Sequence, residues 1–376
     1  MRSVLILGGY GTFGHRISIS LAKADIPIII AGRSLQAANK LKESIKQQYS
    51  PAKITTAVLD INDDFDPHLE RLQPFIVIHT CGPFQRRDYS IAKACIQNKV
   101  HYIDLADGRD FVTQFSQLNA QAEQAGVHAI TGASTVPGLS SAVIEHFRSS
   151  FSNIDRLRYG ITPGQKAPRG LATTQSILSY LGKPIITQAK TTRPRYGWQQ
   201  LYRQAYPVIG KRWMASCDIP DLDLFPSYYD IKQIEFSAGM ESTCMHLAIW
   251  LCSWLPRMKI NIPFARYAKT LLKASRWLDL FGSNHGGMHM TLTGNNHQGR
   301  THTINWFILG FNGDGPQIPC VPAIVLTKKI LAGNLPHPGA QACLGLITLK
   351  EYLAELESFH VQTVTDPGES KTAAEP

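Results

Sequence analysis

From Leu157 to Cys217 the sequence contains no aspartate or glutamate, while ten lysines and arginines fall in the same span. Residues 1–150 carry fifteen basic and thirteen acidic side chains, so little of the formal net charge of +10 originates there. A stretch so one-signed points to an anionic partner met by the middle of the chain: a carboxylate, a phosphate or a lipid headgroup. Also absent is any C-x-x-C among the seven cysteines, at 81, 95, 217, 244, 252, 320 and 343. An odd, scattered set argues against a disulfide framework and for reduced thiols in a cytoplasmic protein. No apolar run is long enough to span a bilayer, since the longest extends only from Cys244 to Pro256. The first thirty residues do not read as a signal peptide, because glycines break their apolar run and no small-residue cleavage pattern follows. With 44% hydrophobic and 18% charged residues the chain is neither disordered nor fibrous, and 376 residues allow two domains with separate cores.

What is there begins at Val4. Val4-Leu5-Ile6-Leu7 is a continuous apolar run, expected of a strand buried on both faces of a parallel sheet. Gly9-Tyr10-Gly11-Thr12-Phe13-Gly14 follows as G-x-G-x-x-G, and His15 to Ala24 has helical character. In a strand–loop–helix setting Gly9 permits a tight turn, Gly11 lets the main chain approach a pyrophosphate, and Gly14 allows helix to pack on strand. A second apolar run, Ile26 to Ala31, ends in Gly32-Arg33-Ser34. An NAD-binding unit places a carboxylate there for the ribose 2′-hydroxyl. Arg33 and Ser34 instead suit a 2′-phosphate, so NADP is the expected cofactor; the alternative is a solvated arginine at a strand end.

The alternation continues. Helices are expected at Leu35–Gln48, Tyr89–Asn98 and Phe111–Ala125, and strands at Ile54–Leu59, Phe75–Thr80, His101–Leu105 and Val127–Thr131. This pattern predicts an α/β protein with a Rossmann-type, doubly wound parallel sheet. Ligands of such sheets lie at the carboxyl ends of strands, where Gly82-Pro83-Phe84 and Gly132 to Gly138 fall.

Strand-GGYGTFG, then AGRS, LDIND and CGPFQRRDYSIAKACIQNKVHYIDLADGRDFV, resemble the NADP-binding domain of the saccharopine dehydrogenase-like family. TGASTVPGLSSAVIEHF is similar to the family's loop and helix after the last nucleotide-domain strand, and IPCVPAIVLTKKILAGNLPHPGA to the element that returns to that domain. The resemblance is strong over residues 1–150, fair over 315–357 and weak between. It implies NADP-dependent oxidoreduction, an inserted α+β substrate or dimerisation domain, and a carboxy-terminal helix returning to the Rossmann domain. It also implies pyrophosphate contacts from Gly9, Gly11, Thr12, Phe13 and Gly14, and 2′-phosphate contacts from Arg33 and Ser34. Asp60 would face the adenine, and Gly82, Pro83 and Phe84 would flank the nicotinamide ribose. One departure matters. Where saccharopine reductases carry a Glu, an Asp and an Asp-His pair around Pro-Gly, this chain has Gly132, Val136 and Ser140-Ser141 beside Pro137-Gly138. The resemblance is therefore to bacterial members of the family rather than to a lysine-pathway enzyme, and it supplies no substrate.

The expected domains are a Rossmann domain at 1–150, a substrate domain at 151–315, a return at 316–360 and a disordered tail at 361–376. In the middle, Leu157–Ile161 reads as a strand, Gly170–Leu181 as a helix, and the Arg-, Tyr-, Trp- and Pro-rich segment from Thr191 to Pro226 as largely loop. Arg193, Arg195, Trp198, Lys211, Arg212 and Trp213, with Ser134 from the nucleotide domain, are candidates to receive an anionic, partly apolar substrate; the alternative is a solvated basic face whose aromatics pack inward. No nucleic-acid module is readable, so that partner is set aside. Tyr102, Asp104, Lys211 and His285 are the candidate proton donors for a carbonyl or imine acceptor.

Ile260, Phe264, Tyr267, Leu271, Ala274, Leu278 and Phe281 recur at spacings of three and four, with Lys259, Arg266, Lys269, Lys273 and Arg276 on the other side. The pattern predicts an amphipathic helix, which with Cys244–Pro256 would cover a core, pair with a second copy in a homodimer, or lie on an anionic membrane surface. A strand hairpin is expected at 288–293 and 301–309, with His289 and His302 facing each other; one hairpin face offers too few ligands, and no metal is expected. The rival to an enzyme is a membrane-peripheral NADP-binding sensor or scaffold without turnover.

Overall fold

The computed structural model describes residues 2–85, 87–187, 194–260 and 262–367. They form two compact units, Met1–Ala142 with Pro316–Glu355, and Val143–Gly315 with Leu356–Pro376.

The chain opens with β1 (Val4–Leu7), α1 (Gly14–Lys23), β2 (Ile28–Gly32), α2 (Leu35–Gln48), β3 (Ile54–Val58), α3 (Asp66–Leu72) and β4 (Ile76–His79). It continues through α4 (Ser90–Gln97), β5 (His101–Asp104), α5 (Arg109–Thr113), α6 (Asn119–Ala125), β6 (His128–Thr131) and α7 (Ser140–Phe147). The middle holds β7 (Asn153–Thr162), α8 (Leu171–Ser179), β8 (Pro184–Ile185), β9 (Arg195–Tyr196), β10 (Tyr202–Tyr206) and β11 (Gly210–Ser216). Then come α9 (Asp221–Tyr229), β12 (Gln233–Met240), α10 (Thr243–Cys252), α11 (Ala268–Ser275), β13 (Gly286–Asn295) and β14 (Thr301–Gly310). The last described elements are α12 (Val321–Leu331), β15 (Gly339–Ala342), α13 (Leu349–Ala354) and β16 (Val361–Pro367).

In the first unit seven parallel strands run in the order β15-β6-β5-β4-β1-β2-β3. Every residue of β1 is fully buried, as a strand covered by helices on both faces must be, and each such aliphatic side chain contributes about 1.5–3 kcal/mol of burial. Strand order reverses between β1 and its neighbours β2 and β4, and the glycine loop leaves β1 at that point. This is the Rossmann-type fold expected, and α12 returns to it. The return also adds β15 on the outer side of β6, which the sequence does not announce, because Gly339-Ala340-Gln341-Ala342 has little strand propensity. The helix expected over Phe111–Ala125 is three shorter pieces, α5, a tight turn at Phe115–Leu118 and α6, ended by Gly126 at φ +70°.

The second unit is built on a mixed sheet in the order β10-β11-β12-β7-β13-β14-β16, with β7 and β12 parallel and the remaining neighbours antiparallel. Four sequence expectations are corrected here. The segment expected to be largely loop supplies β9, β10, β11 and α9. The predicted amphipathic helix is broken into turns at Pro256–Met258, Phe264–Tyr267 and Arg276–Phe281 around a short α11, and Pro263 stands at the break before Phe264. His289 stands opposite Phe307 and His302 opposite Gly294, so the two histidines do not face each other. Val361–Pro367, expected in a disordered tail, pair with Ile304–Gly310 as the edge strand of the sheet.

Candidate functional site

The loop between β1 and α1 is shaped by contacts that exclude side chains. A Cβ on Gly14 would lie 2.2 Å from the carbonyl oxygen of Gly8, and one on Gly9 or Gly11 would stand 3.0 Å from the oxygen of Ile6 or Gly8. Gly8 itself is at φ +72°, and the Thr80 hydroxyl donates to Leu7 O at 2.7 Å, fastening the end of β4 to the loop. Helix α1 begins with no side-chain cap and no acidic residue in its first turn. The amides of Thr12 and Phe13 have no main-chain acceptor among the described residues. Unclaimed amides at the positive end of a helix dipole suit a pyrophosphate. Arg16, whose guanidinium reaches Thr12 O, adds a positive charge that the motif alone did not flag.

At the end of β2, Ser34 caps α2, its hydroxyl accepting from Ala37 N at 3.2 Å. Its own amide donates to the Tyr10 hydroxyl at 2.8 Å, and the Tyr10 ring lies over Gly32, where a Cβ would meet it at 2.6 Å. The motif itself assigns Tyr10 no role. Arg33 is exposed. Asp60 holds the turn after β3 by accepting from the amide and side chain of Asn62, at 3.1 and 2.8 Å. Arg33, Arg87 and Asp60 all act on Cys81, whose thiol burial pushes up to about 11 while the two arginines pull it down. The structure therefore gathers the glycine loop, Arg33, Ser34, Asp60 and Gly82 at the carboxyl ends of β1 to β4. Phe84 turns inward, 3% exposed, against His79 and Phe111 with ring centroids at 5.0 and 5.4 Å.

Tyr102 and Asp104 are brought together, but inside the sheet. Tyr102 is 1% exposed and Asp104 0%. The Tyr102 hydroxyl meets His79 Nδ1 at 3.1 Å, and the cavity they line with Arg87 and Asp88 measures about 20 Å³, far below what a substrate needs. Asp104 Oδ1 accepts from Thr131 Oγ1 at 2.8 Å and from the amides of Gly132 and Ala106 at 2.9 Å. Burial pushes the carboxyl of Asp104 up to about 6, against the pull of those amides, and burial pushes His79 down to about 3. Asp104 is a positioning residue for the loop after β6. In that loop Gly132 sits at φ +70°, with Pro137 Cδ only 2.7 Å from any added Cβ, so the glutamate that saccharopine reductases carry there has no room. Ser140 and Ser141 are buried and donate to Pro137 O and Gly138 O, while Ser134 keeps partial exposure.

The substrate candidates of the second unit do not converge. Trp198 is 1% exposed, packed with Leu181 and Ala215 and edge-on to His246, which makes it core rather than contact surface. Arg212 pairs with Glu241 at 3.2 Å, whose other oxygen accepts from Gln165 N and Ser283 N. Lys211 is exposed on β11, and His285 is partly buried with its ring edge-on to Phe311 at 5.2 Å. Arg193 lies outside the described residues. Arg195 has a more informative setting: it meets Glu235 at 2.6 Å, as do Arg156 at 3.1 Å and Arg158 at 3.7 Å. Burial raises Glu235, yet these three guanidiniums hold its carboxyl below the ordinary range. Arg158 also stacks on Tyr202 at 3.8 Å, and Tyr202 and Tyr206 hydroxyls flank the buried His289 at 3.4 and 2.8 Å. Three arginines on one carboxylate leave two positive charges over. Among the described residues no group of three His, Cys, Asp or Glu is placed to hold a metal ion, and no helix is long and apolar enough to cross a membrane.

With this geometry in view, residues 4–130 match the family model described as the saccharopine dehydrogenase NADP binding domain. Over these residues the chain is similar to that nucleotide-binding domain. The match indicates NADP as the cofactor of this domain. No curated protein sequence matches the chain. Among solved structures it is similar to apo saccharopine dehydrogenase (L-Glu forming) from Saccharomyces cerevisiae, at TM-score 0.65 and 14% identity, covering 97% of this chain and 100% of that one. At that identity the likeness is one of fold. An amine dehydrogenase from Mycobacterium smegmatis matches at TM-score 0.49 and 13% identity over 91% of this chain and 94% of that one.

Proposed function

We propose that this protein is an NADP-dependent oxidoreductase acting by hydride transfer on a small anionic, partly apolar substrate. The observation that carries the cofactor half is exposed Arg33 beside Ser34 N, at the end of β2, where an NAD-specific unit needs a carboxylate. The amides of Thr12 and Phe13, with Arg16, hold the pyrophosphate. Arg33 and the amino end of α2 would hold the 2′-phosphate, beside the Ser34 amide that Tyr10 accepts from. Bound NADP supplies the hydride chemistry, and the chain supplies orientation and charge. The substrate half rests on the surplus charge of Arg156, Arg158 and Arg195 around Glu235, suited to bidentate contact with a carboxylate or phosphate. Since Tyr102 and Asp104 are sealed in the sheet, Lys211, which is exposed, and His285, which is partly so, are the donor candidates that remain accessible.

Calorimetric titration of NADPH and NADH into the wild type and Arg33→Asp tests the cofactor assignment. NADPH affinity should fall by about 2 kcal/mol or more, with NADH little changed. Equal loss of both removes Arg33 from the 2′-phosphate. Burial of both nucleotide-domain donor candidates favours a second reading, NADP binding without turnover. NADPH oxidation with a panel of aldehydes, imines and enoyl compounds separates the two.

A further inference from the structure

Ten of the sixteen large apolar side chains that stand exposed among the described residues fall between Leu251 and Phe281. Trp277 is 78% exposed, Leu280 83% and Phe281 89%. A scattered exposed leucine is ordinary, but a contiguous run of aromatic and aliphatic side chains marks a surface that meets something. Arg257, Lys259, Arg266, Lys269, Lys273 and Arg276 are exposed in the same stretch. No aspartate or glutamate occurs from Ser242 to Leu278, and Asp279 is already held by Arg169 and Gln165. The broken helix explains the exposure: only Ala268 is fully buried along α11, which leans on α8, while the flanking turns carry their apolar tips outward.

The charge pattern selects the occupant. A second copy docking through the same patch by two-fold symmetry would set these cations against themselves with no carboxylate between them. An anionic bilayer satisfies both components at once. Cations face lipid phosphates and carboxylates, while aromatic and aliphatic tips enter the boundary between headgroups and acyl chains. We propose that residues 251–281 are a peripheral docking surface for an anionic membrane, with Trp277, Leu280 and Phe281 inserted into the interface. The inference stands apart from whether the bound cofactor turns over.

The test uses the full chain and vesicles of phosphatidylcholine alone or of equimolar phosphatidylcholine and phosphatidylserine. At low salt the protein should co-sediment with the anionic vesicles and not with the neutral ones. The double variant Lys269→Glu/Lys273→Glu and the triple variant Trp277→Ser/Leu280→Ser/Phe281→Ser should each weaken that binding at least about ten-fold. All the altered side chains are exposed, and unchanged thermal stability and NADPH binding confirm that each variant is folded. Absence of binding to anionic vesicles at low salt overturns the proposal, as does binding that neither variant weakens. A concentration-dependent dimer abolished by the triple variant, without vesicle binding, assigns the patch to a second copy instead.

Discussion

Asp104 Oδ1 and the amide of Gly132 are 2.9 Å apart, so a carboxyl in the heart of the parallel sheet fixes the conformation of the loop that follows β6. The same oxygen serves Thr131 and Ala106. Because burial raises this group to about 6 in the folded protein, the folded state binds the proton more tightly than the unfolded chain. Its contribution to stability is present below about pH 4 and lost as pH rises through about 6, a change on the order of 2–3 kcal/mol. Asp104→Asn keeps an acceptor without the titration. Denaturant unfolding across this window should show the variant gaining on the wild type as pH rises, and a pH-independent difference would refute the assignment.

Gly14→Ala should disable the nucleotide domain, since the new Cβ would sit 2.2 Å from Gly8 O and neither main-chain segment has room to yield. A loss of about 1–3 kcal/mol, read by thermal unfolding, should accompany weaker NADPH binding. Wild-type affinity in the alanine variant would show that the loop does not hold the pyrophosphate.

Glu235→Gln leaves Arg156, Arg158 and Arg195 facing one another across a neutral amide. The partners are partly exposed, so the cost discounted for solvent is about 1–2 kcal/mol. The carboxyl is lowered in the folded state, so its stabilisation is present above the unfolded value and fades as pH falls through the folded one. Chemical unfolding of both proteins at neutral and acidic pH should show the gap closing in acid.

Truncation after His360 removes β16 and strips the hydrogen bonds it makes along Ile304–Gly310. An open edge beside the buried Trp306, Phe307, Ile308 and Leu309 should lower the melting temperature and promote aggregation, both visible in light-scattering melts. A truncated protein as stable and monodisperse as the full chain would show that the edge strand contributes nothing.

The nucleotide domain was legible because parallel strands are buried on both faces and so print as apolar runs, such as Val4–Leu7 and Ile76–Ile78, separated by glycine loops and amphipathic helices. The second unit was not, for three physical reasons. In β10 and β11 the long basic side chains Arg203, Lys211 and Arg212 mask the alternation. Ion pairs join residues far apart, Arg195 with Glu235 and Arg212 with Glu241, so a window lacking carboxylates still finds them in space. Helical spacing from Ile260 to Phe281 is genuine in the sequence, but the segment folds as two tight turns around the short α11 rather than as the continuous helix that would have put it on one face. At the candidate site, the motif identified the glycines and Arg33. It did not reveal Tyr10 seated on Gly32, a relation set by a contact between two loops.

The seating of Gly14 on Gly8 bears on how a chain of this kind diversifies. Turn and helix are a single rigid casting, so mutational drift within the glycines is closed to it. Room for exchange lies instead at the rim, where the exposed Arg33 side chain can be replaced without disturbing the cast.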